Sequence, residues 1–162
     1  MTNPIRLVPL AGLALAACVA DVDNRTTVLA PAPTPQEIVA ARQASFHMSG
    51  AAMGQMKGAI DRGAEPRTQV YAAAGVARWA KALPTLFPDS TRGVGPSRAR
   101  PEIWTNKADF DAKAAAYAAA ADGLVGAAGS NDKEAFAGAH AATGATCKAC
   151  HDLYQAPQQP RS

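Results

Sequence analysis

Forty of the 162 residues are alanine, and this narrows the folds open to the chain more than any other feature of it. Alanine is the strongest helix former yet brings almost no volume to a core, so the chain makes helices readily and fills the space between them poorly. Hydrophobic residues reach 48% of the sequence, but aromatic ones only 6%. Something other than side chains must therefore fill the middle. No stretch alternates β-branched or aromatic residues with polar ones, which excludes an extensive sheet. The 16 basic and 13 acidic residues give a net charge of +3 and are interspersed with no basic block, so no nucleic-acid partner is expected.

Residues 1–17 have the form of an export signal: Arg6, then the apolar run from Leu7 to Ala17, ending in small residues ahead of Cys18. The run is too short for a bilayer span, which takes about 20 apolar residues, and Pro9 interrupts it. Leu15-Ala16-Ala17-Cys18 resembles the lipobox of bacterial lipoproteins, which implies acylation of the Cys18 thiol and a mature chain that starts there. Three cysteines in an exported protein leave one unpaired, and lipidation accounts for it. The alternative is ordinary cleavage near Ala16 or Ala17 with a stray thiol. Val19 stands where an Asp would, by the same resemblance, favour the inner membrane, so the outer membrane is the expected destination. Residues 18–34, ending in spaced prolines, read as the lipidated cysteine and a flexible tether. Membrane contact is then through the lipid alone.

The rest reads as four helices. The first opens with Thr34 as cap, Pro35 at the first helical position and Glu37 three residues after the cap, and it ends at about Asp61 ahead of Gly63. The second is signalled by Pro66, carries Val70, Tyr71, Ala74, Ala77, Trp79 and Leu83, and stops at Pro84. Residues 84–105 hold four prolines and read as a long crossing loop of the kind that often carries function. A third helix starts near Thr105 or Asn106 and runs to about Ala128. The fourth runs from Ser130-Asn131 to Tyr154, and residues 156–162 form a tail. The expected fold class is all-α, an antiparallel four-helix bundle over residues 35–155.

The motif that carries chemistry is Cys147-Lys148-Ala149-Cys150-His151. C-x-x-C-H is the attachment pattern of c-type haem, in which two thiols add to the porphyrin and the imidazole takes the iron. On a helix the spacings i, i+3 and i, i+4 put all three groups on one face. A thioredoxin-type pair would want a βα setting that is missing. A zinc site would need further ligands, with only His47 and His140 left as imidazoles. Haem also supplies the apolar volume that the alanines lack.

The run from Gly144 to Tyr154 around this motif resembles the class II cytochromes c, the cytochrome c′ family. So do Arg42-Gln43 ahead of Met53-Gly54-Gln55-Met56, and Arg100-Pro101-Glu102-Ile103-Trp104 before the third helix. The resemblance implies one covalent haem c near one end of the bundle, with Arg42 and Gln43 at its edge and propionates, and Thr91 and Arg92 where the long loop touches it. It places Phe46 at the distal position, which methionine fills in low-spin members. The family often carries an arginine four residues after the proximal histidine; this chain has Gln155.

Helix geometry agrees with the count. Val39, Arg42, Phe46, Ser49, Met53, Met56 and Ile60 share one face, whereas Met48 lies about 200° from Phe46 and Met53 about 10 Å further along. His47 and His140 read as surface or structural residues. The expected function is a five-coordinate haem protein with His151 proximal and Phe46 over the other side, an electron carrier or binder of NO or CO, not an enzyme. One alternative is a low-spin His/Met electron carrier using Met48 or Met53. Another is a haem-free lipoprotein with a Cys147–Cys150 disulfide. The implied partners are a redox protein, a small gas and a second copy of the chain, docked through the first two helices.

Overall fold

The computed structural model describes residues 31–158, of which those from Pro33 onward belong to one compact unit. The export signal and Cys18 lie outside the described residues. Helix α1 spans Pro35–Asp61, α2 Val70–Ala82, the single turn α3 Glu102–Thr105, α4 Lys107–Ser130 and α5 Lys133–Tyr154. The long elements α1, α2, α4 and α5 make the bundle expected from the sequence.

The start of α1 follows the sequence signal. Thr34 Oγ1 accepts from the Glu37 backbone N–H at 3.3 Å, and the Glu37 carboxylate accepts from the Thr34 N–H at 2.7 Å, a reciprocal cap. At the other end the chain leaves the helix through Gly63, whose φ of +65° suits a residue without Cβ. Three expectations need correction. The second α-helix is only 13 residues, because Pro66–Gln69 and Leu83–Leu86 wind as 3-10 turns on either side of it. Tyr71, counted with its apolar pattern, points outward and is 87% exposed, while Ala73, Val76, Ala77 and Ala80 are buried. The last helix starts at Lys133, because Asn131 adopts a left-handed conformation (φ 61°) that reverses the chain. The cap is then Asp132, which accepts from the Ala135 N–H at 3.0 Å.

Helix α4 packs against both α2 and α5. Ala114, Ala121 and Ala128 on α4, with Ala73, Ala77 and Ala80 on α2, are all buried, so much of this core is small side chains. Larger residues gather toward one end, that of the α5 C-terminus, where Phe87, Trp104, Phe110 and Tyr154 meet edge to face with centroids 5.0–6.2 Å apart. Alanine seams bring helices close; the aromatic end holds them apart and leaves room.

The candidate cofactor site

A cavity of about 760 Å³ opens at that aromatic end, within the range of small-molecule and cofactor sites, about 300–1,000 Å³. Cys147, Cys150 and His151 reach it from the last two turns of α5, and Arg42, Gln43 and Phe46 from α1. The end of α5 is fixed from two sides. The Tyr154 hydroxyl donates to Asp109 Oδ2 at 2.6 Å on α4, and an antiparallel bridge joins Gln155 to Ala99 in the long loop.

That loop is ordered because α1 holds it. Buried Arg42, 2% exposed, donates from Nη1 to the Leu86 carbonyl at 2.9 Å and to Thr91 Oγ1 at 3.4 Å, and from Nη2 to Ser97 Oγ at 3.2 Å. Its guanidinium also lies 4.2 Å over the Phe87 ring. Gln43 donates to the Pro96 carbonyl. Thr91 is buried and completes the chain of bonds by donating to the Pro88 carbonyl at 2.8 Å. The residues expected at the loop contact therefore sit differently: Thr91 braces Arg42 from behind, and Arg92 turns to solvent over Trp104, near Asp89 at 3.6 Å. Neither forms part of the cavity wall.

The charge around the cavity has one sign. Arg42, Lys57, Arg98 and Lys113 line it, with no Asp or Glu among the lining residues. Lys57 and Lys113 are paired with Asp61 and Asp109 on their own helices. Among the described residues Arg42 and Arg98 have no such partner. Burial of Arg42 lowers its pKa, the sign of a cation kept from water without a counter-ion. Such a charge is costly unless an anion meets it. A macrocycle with two carboxylates fits both the volume and the sign of the charge.

The three motif groups have matching chemistry. Both thiols are half-buried and free, and burial, the largest cause, raises their pKa values, so they stand as neutral S–H groups. A thiol-disulfide catalyst needs the opposite shift. Among the described residues no group of three or more His, Cys, Asp or Glu is placed to bind a metal ion directly. The pKa of His151, at the cavity mouth, is lowered by desolvation first and the Arg98 charge second, against a smaller opposite effect of Asp152. A neutral imidazole results, the form that ligates iron.

Phe46 faces His151 with ring centroids 6.3 Å apart and is backed by Trp79 at 5.4 Å. Met48 is 73% exposed, turned away as helix geometry requires. Met53 lines the cavity further along α1, and there His140 Nε2 lies 2.9 Å from the Met53 carbonyl oxygen. His140 is thus tied to backbone. Sequence reasoning missed Arg98, Ser97 and the Tyr154–Asp109 bond. Ser97 and Arg98 lie in the Ser97-Arg98-Ala99-Arg100 stretch ahead of Pro101, which no helical or strand period marks, and the Tyr154–Asp109 bond joins residues 45 apart.

Comparison with known proteins gives the class. The family described as Cytochrome C′ matches residues 37–155. A cytochrome c′ of Pararhodospirillum photometricum is 31% identical over 126 residues, covering 75% of this chain and 98% of that protein. The crystal structure of cytochrome c′ from Thermochromatium tepidum has a TM-score of 0.72 at 32% identity, covering 77% of this chain and 98% of that one. A nitric oxide complex of a variant cytochrome c′ from Alcaligenes xylosoxidans has a TM-score of 0.70 at 26% identity, covering 76% and 98%. The chain belongs to the cytochrome c′ family. It is a haem-c protein with one covalent haem per chain.

Proposed function

We propose that Cys147 and Cys150 each add S–H across a vinyl group of the haem, that His151 is the proximal ligand, and that Phe46 closes the opposite side without ligating. Bound there, haem c would supply an iron that changes between Fe(III) and Fe(II) and takes a small diatomic ligand. Phe46 carries this reading: the side chain facing His151 has no lone pair to offer, and Met48 points to solvent. Apolar Phe46, Leu83, Phe87 and Phe110 keep water from the cavity. Gln43, the nearby amide, is spent on the Pro96 carbonyl. Phe46, the group that faces His151, offers no hydrogen bond, which favours NO or CO over ligands that need one. Arg42 meets the carboxylate edge with its fork fixed by Thr91, and Gln43 supports that edge by tying Pro96 of the loop beside it.

The protein then works as an electron carrier or gas binder, with a redox protein as partner and no turnover of its own. Optical spectra of the oxidised, reduced and CO-exposed protein test this. We expect rapid CO uptake by the reduced form and no far-red methionine-sulfur band in the oxidised one. Such a band, abolished in Met53→Ala, would establish the low-spin alternative.

The export signal and lipobox support a periplasmic protein anchored by acylated Cys18, with residues 18–34 as tether to the bundle. No helix among the described residues is long and apolar enough to cross a membrane. Mass spectrometry of the membrane-associated N-terminus tests the anchor, and Cys18→Ser should release the protein. Pairing with a second copy uses the α1–α2 face. There a groove of about 600 Å³ runs between small residues, flanked by exposed Met48 and Tyr71. Tyr71→Glu should leave a monomer by light scattering.

A further inference from the structure

We infer that Arg98 is the charge through which this chain raises the reduction potential of its iron, acting from the His151 side, an inference that rests on the haem reading above. Its Nε donates to the Ala156 carbonyl at 2.7 Å and its Nη2 to Gln155 Oε1 at 3.3 Å, both acceptors within five residues of His151. The backbone is fixed as well. Ala156 N–H donates back to the Arg98 carbonyl at 2.8 Å, Arg100 N–H donates to the Tyr154 carbonyl at 3.0 Å, and Ala99 bridges to Gln155. One residue earlier, Ser97 is held by Arg42. Residues 96–100 thus form a strap from α1 to the end of α5, and Arg98 is its charged point on the cavity.

Among the described residues every acceptor of Arg98 is neutral, so no carboxylate there cancels its charge. The nearest acid on α5, Asp152, is tied to Lys148 at 2.6 Å. Fe(II) carries one positive charge fewer than Fe(III), so an uncancelled cation favours the reduced state. Because Arg98 is on the surface, the effect is moderate and salt screens it.

Potentiometric titration of the holoprotein, followed by its absorption spectrum, tests this in three variants. Arg98→Gln removes the charge but keeps an amide donor. Gln155→Glu leaves the strap backbone intact and sets a carboxylate against the guanidinium. Arg98→Lys keeps the charge. At a fixed ambient potential the Fe(II)/Fe(III) ratio should fall about three- to fivefold in Arg98→Gln and Gln155→Glu, and by under about twofold in Arg98→Lys. In 1 M salt the differences should shrink. An unchanged ratio in Arg98→Gln and Gln155→Glu, or an equal fall in Arg98→Lys, would overturn the assignment and leave Arg98 as a staple of the strap. CO uptake by the same samples keeps the two failures apart: it reports the coordination of the iron and does not depend on the Arg98 charge.

Discussion

The two ends of the bundle are built on opposite principles. At the end where α4 turns into α5, Glu65 accepts from Asn131 Nδ2 at 2.8 Å and pairs with Lys133 at 2.8 Å, while Asn131 Oδ1 accepts from the Arg67 N–H at 3.1 Å. Glu65 and Lys133 there are each other's counter-charge, and Met56, Ala73, Ala121, Leu124 and Ala128 are fully buried. At the other end a buried arginine has only neutral acceptors, two thiols are unpaired, and a cavity separates α1 from α5. The closed end is complete with protein atoms alone. The open end has its charges and donors arranged for a ligand of complementary sign and shape.

The largest way to break this contrast is to remove the ligand's attachment. Cys147→Ala with Cys150→Ala should abolish covalently bound haem on denaturing gels. Hydrogen exchange should then speed up in the last turns of α5 and residues 96–100, and stay slow around Ala121–Ala128; equal loosening of both ends would contradict the division. Phe110→Ala should come next, destabilising the protein by about 3–5 kcal/mol in denaturant titration. Ala121→Leu, which forces volume into a closed seam, should cost about 1–3 kcal/mol without altering the haem spectrum.

Arg42→Met sharpens the comparison, since a buried ion replaced by an apolar side chain is often neutral or stabilising by itself. The variant should lose more thermal stability with haem attached than in a Cys147→Ala, Cys150→Ala background. An equal loss in both would mean that Arg42 serves only the loop. The smallest effect belongs to the closed end. Glu65 has its pKa lowered by Lys133 and Asn131, so its contribution is present above the ordinary value of 4.5 and disappears as pH falls through the lower, folded value. Glu65→Gln should therefore lower Tm slightly at pH 7 and not at all once the wild-type carboxylate is protonated.

What the sequence revealed follows the same division. Thr34, Pro35 and Glu37 marked the start of α1 because caps are local, and the Cys147–His151 spacing marked one helix face for the same reason. The faces of α2 were less legible. With Ala72, Ala73 and Ala74 in a row, apolar periodicity loses its contrast, and outward Tyr71 looked like core. The loop was hidden for another reason. Arg42 meets Leu86, Thr91 and Ser97 across 44 to 55 residues, and no local pattern encodes such a meeting. Thr91 was singled out at the loop, but its role behind Arg42 could be seen only in three dimensions.

The coordination shell of the iron in the oxidised protein is the most direct single measurement, and X-ray absorption reads it. Four pyrrole nitrogens and one imidazole, with no sulfur scatterer, is the shell expected when Phe46 faces His151. A thioether sulfur at bonding distance would contradict it.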